Sequence, residues 1–266
     1  MRVPNLLPRI LCRTTLTFAA LSGIGATAAH GTTLPVPITA ATCVAYAGGS
    51  ASDPTSCALS GLPASLNVNA SLTLSPAVML SAHADYAGGI NLGGQASTSA
   101  QYYFQVEGGV DGDVVPLLIQ TSLSSSGSGG AGASLRVHTS AELVDQEVDV
   151  CTNPNGFCAV PSTFSGSLET HASSGAVGDY INIFASAGVG DSLTPETAAA
   201  SVDPFIFIDP SFANASGYSI VLSDGVGNAV SPVPEPAAAL MTITGILLVV
   251  TTRRRRPMGR QACRGI

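Results

Sequence analysis

A period-two alternation of apolar and polar side chains, which runs through most of the chain from residue 66 to residue 222, is the strongest constraint on the fold. Between Leu66 and Leu74, for example, every second residue is apolar and the residues between them are Asn, Ser or Thr. One apolar and one polar face is the pattern of a strand in an antiparallel sheet that packs on a core. About nine such runs, separated by Gly, Pro, Asn and Asp and without a convincing helix, predict an all-β fold, either an antiparallel β-sandwich or a jelly roll. The other runs span residues 78–86, 100–106, 115–123, 133–143, 164–168, 181–189, 198–208 and 218–222.

Charge is distributed very unevenly along the sequence. The chain contains no lysine, and all seventeen acidic residues lie between Asp53 and Glu235, where Arg136 is the one basic side chain, so this stretch carries a net charge of −16. The other nine arginines lie within the first thirteen residues or from Arg253 onward. An acidic body repels nucleic acid and anionic lipid, so nucleic acid is not an expected partner. The same charge would also keep a surface rich in Ser, Ala and Gly soluble.

The N-terminal segment has the three parts of a secretory signal peptide. Arg2, Arg9 and Arg13 are basic, a short apolar core runs from Leu16 to Ile24, and Ala26-Thr27-Ala28 matches the small-residue pattern of a cleavage site. We therefore expect residues 1–28 to be a signal peptide that is handled by the Sec translocon and signal peptidase. Residues 29–230 would then form the extracytoplasmic body. The alternative is an N-terminal helix of a folded domain.

Four cysteines remain in the expected body, and they fall into two local pairs. Cys43 and Cys57 form the first pair, and Cys151 and Cys158 form the second. Export implies an oxidising compartment, so we expect two disulfides, with these local pairs as the simplest of the three possible connectivities. A zinc site is the less favoured alternative, because no histidine is near either pair and the spacings are not those of zinc knuckles. No metal or cofactor is expected.

Residues 231–256 form a three-part segment typical of membrane anchoring. Prolines at 232, 234 and 236 keep the chain extended, and the charge-free residues 237–252 would form one transmembrane helix of roughly 24 Å. Basic residues on the far side fix the tail, residues 257–266, in the cytoplasm and the acidic body outside. The stop-transfer residues are Arg253, Arg254, Arg255 and Arg256.

This segment closely resembles the PEP-CTERM sorting signal, which pairs a short proline-containing motif with an apolar helix and an arginine cluster. The matching motif is Val233, Pro234, Glu235 and Pro236. The resemblance implies that exosortase, a membrane-embedded transpeptidase of Gram-negative bacteria, processes the chain near this motif. The chain would be an inner-membrane single-pass intermediate before delivery to the cell surface or the exopolysaccharide matrix. A plain single-pass anchor with a proline-rich stalk is the alternative.

Motifs for catalysis or nucleotide binding are weak in the body. Gly127, Gly129 and Gly132 match a dinucleotide fingerprint, but their flanks alternate as strands and no helix follows. Residues 122–134 are expected to form a long, flexible Ser/Gly loop. Apart from His30, which is next to the expected cleavage site, the three histidines of the body fall out of phase with the apolar positions, so we expect them to face solvent and the protein to be no enzyme. They are His83, His138 and His171. A Ser-His-Asp site assembled around one of them is the alternative.

Calcium is an open alternative, because several carboxylates are expected in loops and calcium needs six to eight oxygen ligands. The candidate ligands are Asp111, Asp113, Asp145, Glu147, Asp149, Asp203 and Asp209. Two of these, at 203 and 209, precede proline and read equally well as the start of turns.

Two functions are therefore compatible with the sequence. The first is a non-catalytic surface or extracellular-matrix protein that exosortase sorts. The second is a carbohydrate-binding, lectin-like sandwich of the exopolysaccharide matrix, with or without calcium. The second needs an exposed aromatic platform, for which Tyr103 is the candidate, because the alternation turns Tyr102 and Phe104 inward and Tyr103 outward.

Overall fold

The computed structural model describes residues 33–46, 48–60, 66–88, 93–153, 158–190 and 193–229, and these form two antiparallel β-sheets packed face to face. The expected signal peptide, sorting motif, transmembrane segment, arginine cluster and tail lie outside these ranges. In the part of the chain that the structure describes, no helix is long and apolar enough to cross a membrane. The strands are β1 Ile38–Ala45, β2 Ser50–Asp53, β3 Ser56–Ser60, β4 Leu66–Thr73, β5 Met79–Tyr86, β6 Gly94–Gly108, β7 Val114–Gly127, β8 Gly130–His138, β9 Gln146–Thr152, β10 Thr163–Ser173, β11 Tyr180–Val189, β12 Glu196–Ile208 and β13 Tyr218–Leu222, with a short 3₁₀ turn at Ala215–Gly217.

The strands are divided between a seven-stranded and a six-stranded sheet. The first has the order β2-β1-β6-β11-β8-β9, and β13 pairs with β6 beyond the part that β1 covers. The second has the order β10-β7-β12-β5-β4-β3. The predicted all-β antiparallel sandwich is confirmed.

The core lies between the sheets and consists of the inward residues of the alternating runs. In β4, Leu66, Val68, Ala70 and Leu72 are buried and the residues between them face outward. Tyr86, Tyr102 and Phe104 are the largest fully buried side chains, and many of their neighbours are alanines. The bulk of the core therefore comes from a few large rings set among small residues, which allows two sheets to pack closely.

Both expected disulfides are present with the simplest connectivity. Cys43 of β1 is bonded to Cys57 of β3, with their Cα atoms 5.8 Å apart, and this bond links the two sheets. Cys151 at the end of β9 is bonded to Cys158, with a Cα separation of 5.9 Å. Structural disulfides are typical of proteins that fold in an oxidising compartment outside the cytoplasm.

Three local predictions are wrong. Residues 122–134 are not a flexible loop, because β7 continues to Gly127 and β8 begins at Gly130. The run at 133–143 ends early, since His138 closes β8 and Leu143 lies fully exposed in the following loop. Conversely, residues 146–152 form strand β9 rather than a loop. In the first and third cases, serine, glycine or acidic residues occupy the outward positions of a strand, so composition suggests a loop where pairing with neighbouring strands makes the segment regular.

Candidate ligand-binding face

Three ring side chains form one row across the outer face of the seven-stranded sheet. Tyr180, the first residue of β11, is the direct cross-strand partner of Tyr103 in β6 and of His138 in β8. Their inward neighbours Tyr102, Ile181 and Val137 are buried, so strand alternation turns the three rings outward. We refer to Tyr103, Tyr180 and His138 as the aromatic row.

The rings of the aromatic row contact each other. The ring centroids of Tyr103 and Tyr180 are 6.1 Å apart in an edge-to-face arrangement. The rings of Tyr180 and His138 are stacked, with centroids 4.9 Å apart. These are the favourable geometries for aromatic pairs, so the three half-buried rings restrict one another's rotamers. The Tyr103 hydroxyl also accepts a hydrogen bond of 2.9 Å from the Gln101 side-chain amide.

The carboxylate of Asp145 flanks the aromatic row at its β8 end. Asp145 contacts His138 through its Oδ1 atom, 2.7 Å from the ring Nδ1, and Arg136 through its Oδ2 atom, 2.6 Å from Nε. The hydrogen bond with His138 is the main cause that lowers the pKa of Asp145; partial burial opposes this shift, and the hydrogen bond and charge of Arg136 add to it. The pairing also raises the pKa of Arg136. Asp145 therefore fixes both the His138 ring and the one basic side chain of the acidic stretch.

Two further rows follow the aromatic row along the strands. The second consists of Gln101, Asn182 and Arg136, in which Asn182 is the cross-strand partner of both others. The third consists of Ser99, Phe184 and Ser134, with the Phe184 side chain between two serines. Aromatic rings, hydrogen-bonding side chains and an exposed ring thus succeed one another on one outer sheet face.

Hydrogen bonds of two buried residues, Ser223 and Asp179, position the backbone next to the aromatic row. Ser223, which follows β13, accepts a hydrogen bond from the Tyr103 backbone N–H at 2.9 Å and donates its hydroxyl to the Pro35 carbonyl at 2.8 Å. Asp179, which precedes Tyr180, is buried and accepts a 2.7 Å hydrogen bond from the Ser140 N–H through Oδ1. Its Oδ2 is buried without a hydrogen-bond partner among the described residues. Burial raises the pKa of Asp179, while the Ser140 hydrogen bonds and the charge of His138 oppose the rise.

The other two histidines lie apart from the row, and each has its own carboxylate partner. His83 Nε2 is 2.6 Å from Asp85 Oδ2, two residues along β5. His171 Nδ1 in β10 is 3.0 Å from Glu142 Oε1, and the same oxygen accepts the His171 N–H. The expected outward direction is confirmed, since all three histidine side chains are substantially exposed. No serine hydroxyl hydrogen-bonds a histidine ring in the described ranges.

The carboxylates considered for calcium do not converge. Asp113 Oδ2 accepts hydrogen bonds from the Val110 N–H and the Tyr218 hydroxyl, while Asp203 lies in β12 and accepts the Ser122 N–H. Asp209 closes a local turn with Ser211. The expectation of loop carboxylates is wrong for Glu147 and Asp149, which lie in β9, and for Asp203. It holds for Asp145, which lies in the loop before β9 and is engaged with His138 and Arg136. No group of three or more His, Cys, Asp or Glu suited to a metal ion is found among the residues that the structure describes.

The sequence identifies one member of the aromatic row and misses its partners. Tyr103 faces outward as expected, while Tyr102 and Phe104 are buried. Tyr180 lies one residue before the apolar run that marks β11, and His138 reads as an isolated outward residue. Their proximity follows from a register between strands 40 to 80 positions apart, for which local sequence carries no signal.

Chemically, the face combines apolar rings with hydrogen-bonding groups. The rings present apolar surface, and the neighbouring amide, guanidinium and hydroxyl groups supply donors and acceptors. A surface of this composition suits a ligand with both C–H faces and many hydroxyl groups.

Comparisons with known proteins leave the family of the chain open. No family model matches the sequence, and no curated protein matches it. Among solved structures, the carbohydrate-binding module TmCBM61, in complex with β-1,4-galactotriose, aligns with 48% of this chain and 71% of its own length, at 11% identity and a TM-score of 0.21. That score is too low to support any argument about this chain.

Proposed function

We propose that this chain is an exported, non-catalytic glycan-binding protein, and that the aromatic row lies at the centre of its binding face. The observation that carries the proposal is the register of Tyr103, Tyr180 and His138, which places three contacting rings side by side on an outward sheet face. Pyranose rings carry apolar C–H groups on their faces and hydroxyls around their edges. Tyr180 and His138 already stack on each other, so a pyranose would contact the parts of the three rings that these contacts leave uncovered, while its hydroxyls reach the flanking polar groups.

The surroundings of the row favour binding of a hydroxyl-rich ligand. Gln101 and Asn182 lie one step along the strands, and Arg136 is held in place beside them by Asp145. Amide side chains both donate and accept hydrogen bonds, so they can pair with sugar hydroxyls in either sense. Because the rings and Arg136 are already fixed by their mutual contacts, little side-chain entropy would be lost on binding.

The cellular setting is part of the same proposal and is supported by the sequence. The motif at Val233–Pro236, the apolar residues 237–252 and the arginines at 253–256 would deliver the body to the cell surface through exosortase. The two disulfides support folding outside the cytoplasm. A glycan-binding face on such a body would attach it to exopolysaccharide.

The test is a glycan array probed with the full chain, exported in a Gram-negative host and purified in a detergent without a sugar headgroup. The wild-type chain should bind a defined set of glycans, and Tyr180→Ala should lose the signal. Phe205→Ala is the matched control, because Phe205 is an outward ring on the other sheet, beside Phe207 at a centroid distance of 5.4 Å.

An empty array would favour the other function compatible with the sequence, a surface or matrix component without a glycan ligand. Loss of binding in Phe205→Ala but not in Tyr180→Ala would place the site on the six-stranded sheet and contradict the assignment of the aromatic row.

A further inference from the structure

We infer that the proposed glycan site takes the interior of an uncharged polysaccharide, lying along β11 across two aromatic platforms, Tyr180 and Phe184. This inference rests on the proposed function and names its ligand class. The two rings belong to the same strand and the same outward face, four residues apart, which corresponds to about 13 Å. That distance is longer than a single sugar ring, so one sugar cannot cover both platforms.

Phe184 has the properties of a second platform. The residue is 39% exposed, although an aromatic ring without a polar group gains nothing from contact with water. Its direct cross-strand partners on both sides are serines, Ser99 and Ser134, so the positions beside the ring carry small side chains. Phe184 is therefore an exposed ring flanked by hydroxyl groups, as the aromatic row is a set of rings flanked by hydrogen-bonding side chains.

The surface between the platforms is polar and in line with them. Asn182 lies midway between Tyr180 and Phe184 on β11, with Gln101 on one side and Arg136 on the other. A polymer along the strand would therefore meet a ring, then hydrogen-bonding groups, then a second ring. This alternation matches a chain of sugar units, in which apolar faces and hydroxyl edges recur.

Among the described residues, small side chains continue the path past Phe184 on the β11 and β8 side. The next outward residues of β11 are Ser186 and Gly188, and their β8 neighbours are Gly132 and Gly130. A Cβ built on Gly130 would meet nothing within 4 Å, and one on Gly188 would meet its nearest atom at 3.7 Å, which shows how open this end of the face is. A site that selects chain ends needs a wall, and the small residues here leave the path open for an internal segment.

The negative charge near the binding face and along the chain disfavours binding of acidic polysaccharides. Arg136, the one arginine among the described residues, is already paired with Asp145, and the exposed Glu147 and Asp149 follow on the adjacent edge strand β9. The stretch from residue 53 to 235 carries a net charge of −16. An anionic polymer would be repelled at short range and would lose part of its on-rate at long range.

The experiment begins with native affinity electrophoresis of the full chain in gels that contain one polysaccharide each. The neutral probes are hydroxyethyl cellulose, galactan, xylan, glucomannan and dextran, and the anionic probes are alginate and hyaluronate. A neutral polymer should retard the chain and the anionic ones should not. Oligosaccharides of two to six units cut from the retarding polymer are then titrated against wild type, Tyr180→Ala and Phe184→Ala.

Wild-type affinity should rise with chain length until both platforms are spanned. Phe184→Ala should lower the affinity for the longest oligosaccharide by about threefold to tenfold and leave the shortest unchanged. Equal melting temperatures of the variants would establish that both are folded.

Each contrary outcome identifies what fails. If Tyr180→Ala loses binding but Phe184→Ala binds the longest oligosaccharide as wild type does, the two-platform site is wrong and the glycan function stands. If an anionic polymer is bound more tightly than any neutral one, the uncharged ligand class is wrong. If no polymer retards the wild-type chain, the inference and the proposed function both fail.

Discussion

Ser223 and Tyr103, 120 positions apart in the chain, are joined by two hydrogen bonds, one to the Ser223 side chain and one between the two backbones. The Tyr103 N–H donates to the Ser223 hydroxyl oxygen at 2.9 Å, and the Ser223 N–H donates to the Tyr103 carbonyl, also at 2.9 Å. The Ser223 hydroxyl donates in turn to Pro35, just before β1. The beginning and the end of the described sandwich therefore meet behind one ring of the aromatic row.

Ser223→Ala should destabilise the body. Ser223 is buried, so the substitution leaves the Tyr103 N–H and the Pro35 carbonyl without this partner, at a cost of about 1–3 kcal/mol in the free energy of unfolding. Ser219→Ala, at an exposed serine of β13, is the matched control and should change stability by less than about 0.5 kcal/mol. Urea denaturation measures both. Equal midpoints for the two variants would show that Ser223 does not tie the ends together.

The buried carboxyl of Asp179 should make stability depend on pH. Burial raises its pKa in the folded state above the ordinary value of 3.8, so the folded chain holds this proton more tightly than the unfolded chain. Stability from this group is thus complete below pH 3.8 and is lost as pH rises through the raised folded pKa. Asp179→Asn can still accept from Ser140 and does not ionise.

Raising the pH from 4 to 7 should therefore shift the difference in unfolding free energy in favour of Asp179→Asn. Chemical denaturation of both proteins at several pH values measures this difference. A difference that stays constant over the whole range would mean that Asp179 ionises in the folded state as it does in the unfolded one.

The two disulfides should contribute unequally to stability. Cys43 and Cys57 are 14 positions apart, and replacing both with Ala should lower the free energy of unfolding by about 3 kcal/mol, chiefly because the unfolded chain gains freedom. The pair Cys151 and Cys158, 7 positions apart, closes a smaller loop, and its loss should cost about 2 kcal/mol. Peptide mapping without reductant should recover both pairs. Free thiols at these positions in the native protein would contradict the connectivity.

The sorting proposal predicts that maturation depends on the residues of the motif. Glu235→Ala and Pro236→Ala should remain full length in the membrane of a host that has exosortase, whereas the wild-type chain should lose its arginine cluster and migrate faster. A host without exosortase should leave the wild-type chain unprocessed as well. Maturation of the variants at the wild-type rate would reduce this segment to a plain anchor.

Much of the fold follows from local sequence, because strand alternation alone determines which face of each run is buried. Leu66–Leu72 and the inward Tyr102 and Phe104 lie where the pattern places them. The pattern fails where outward positions are small or acidic. Residues 122–134 look like a linker, yet inward Leu123, Ala131 and Ala133 are buried.

The binding face is less accessible to sequence reasoning than the fold. The outward direction of Tyr103 follows from alternation, but its contact with Tyr180 depends on the pairing of β6 with β11 across about 80 positions. The link from His138 to Asp145 depends on a loop that returns the chain to the edge of the sheet. Register between distant strands is a property of the whole core, so neither contact is encoded locally.

Titration of one glycan into three proteins tests the central claim most directly. The polymer that retards the wild-type chain in native gels is titrated calorimetrically into wild type, Tyr180→Ala and Phe205→Ala under identical conditions. Loss of the central ring should weaken binding by about tenfold or more, because Tyr180 contacts both other rings of the row, while Phe205→Ala should bind as wild type does. Unchanged affinity in a folded Tyr180→Ala variant would contradict the assignment of the aromatic row as the glycan-binding site.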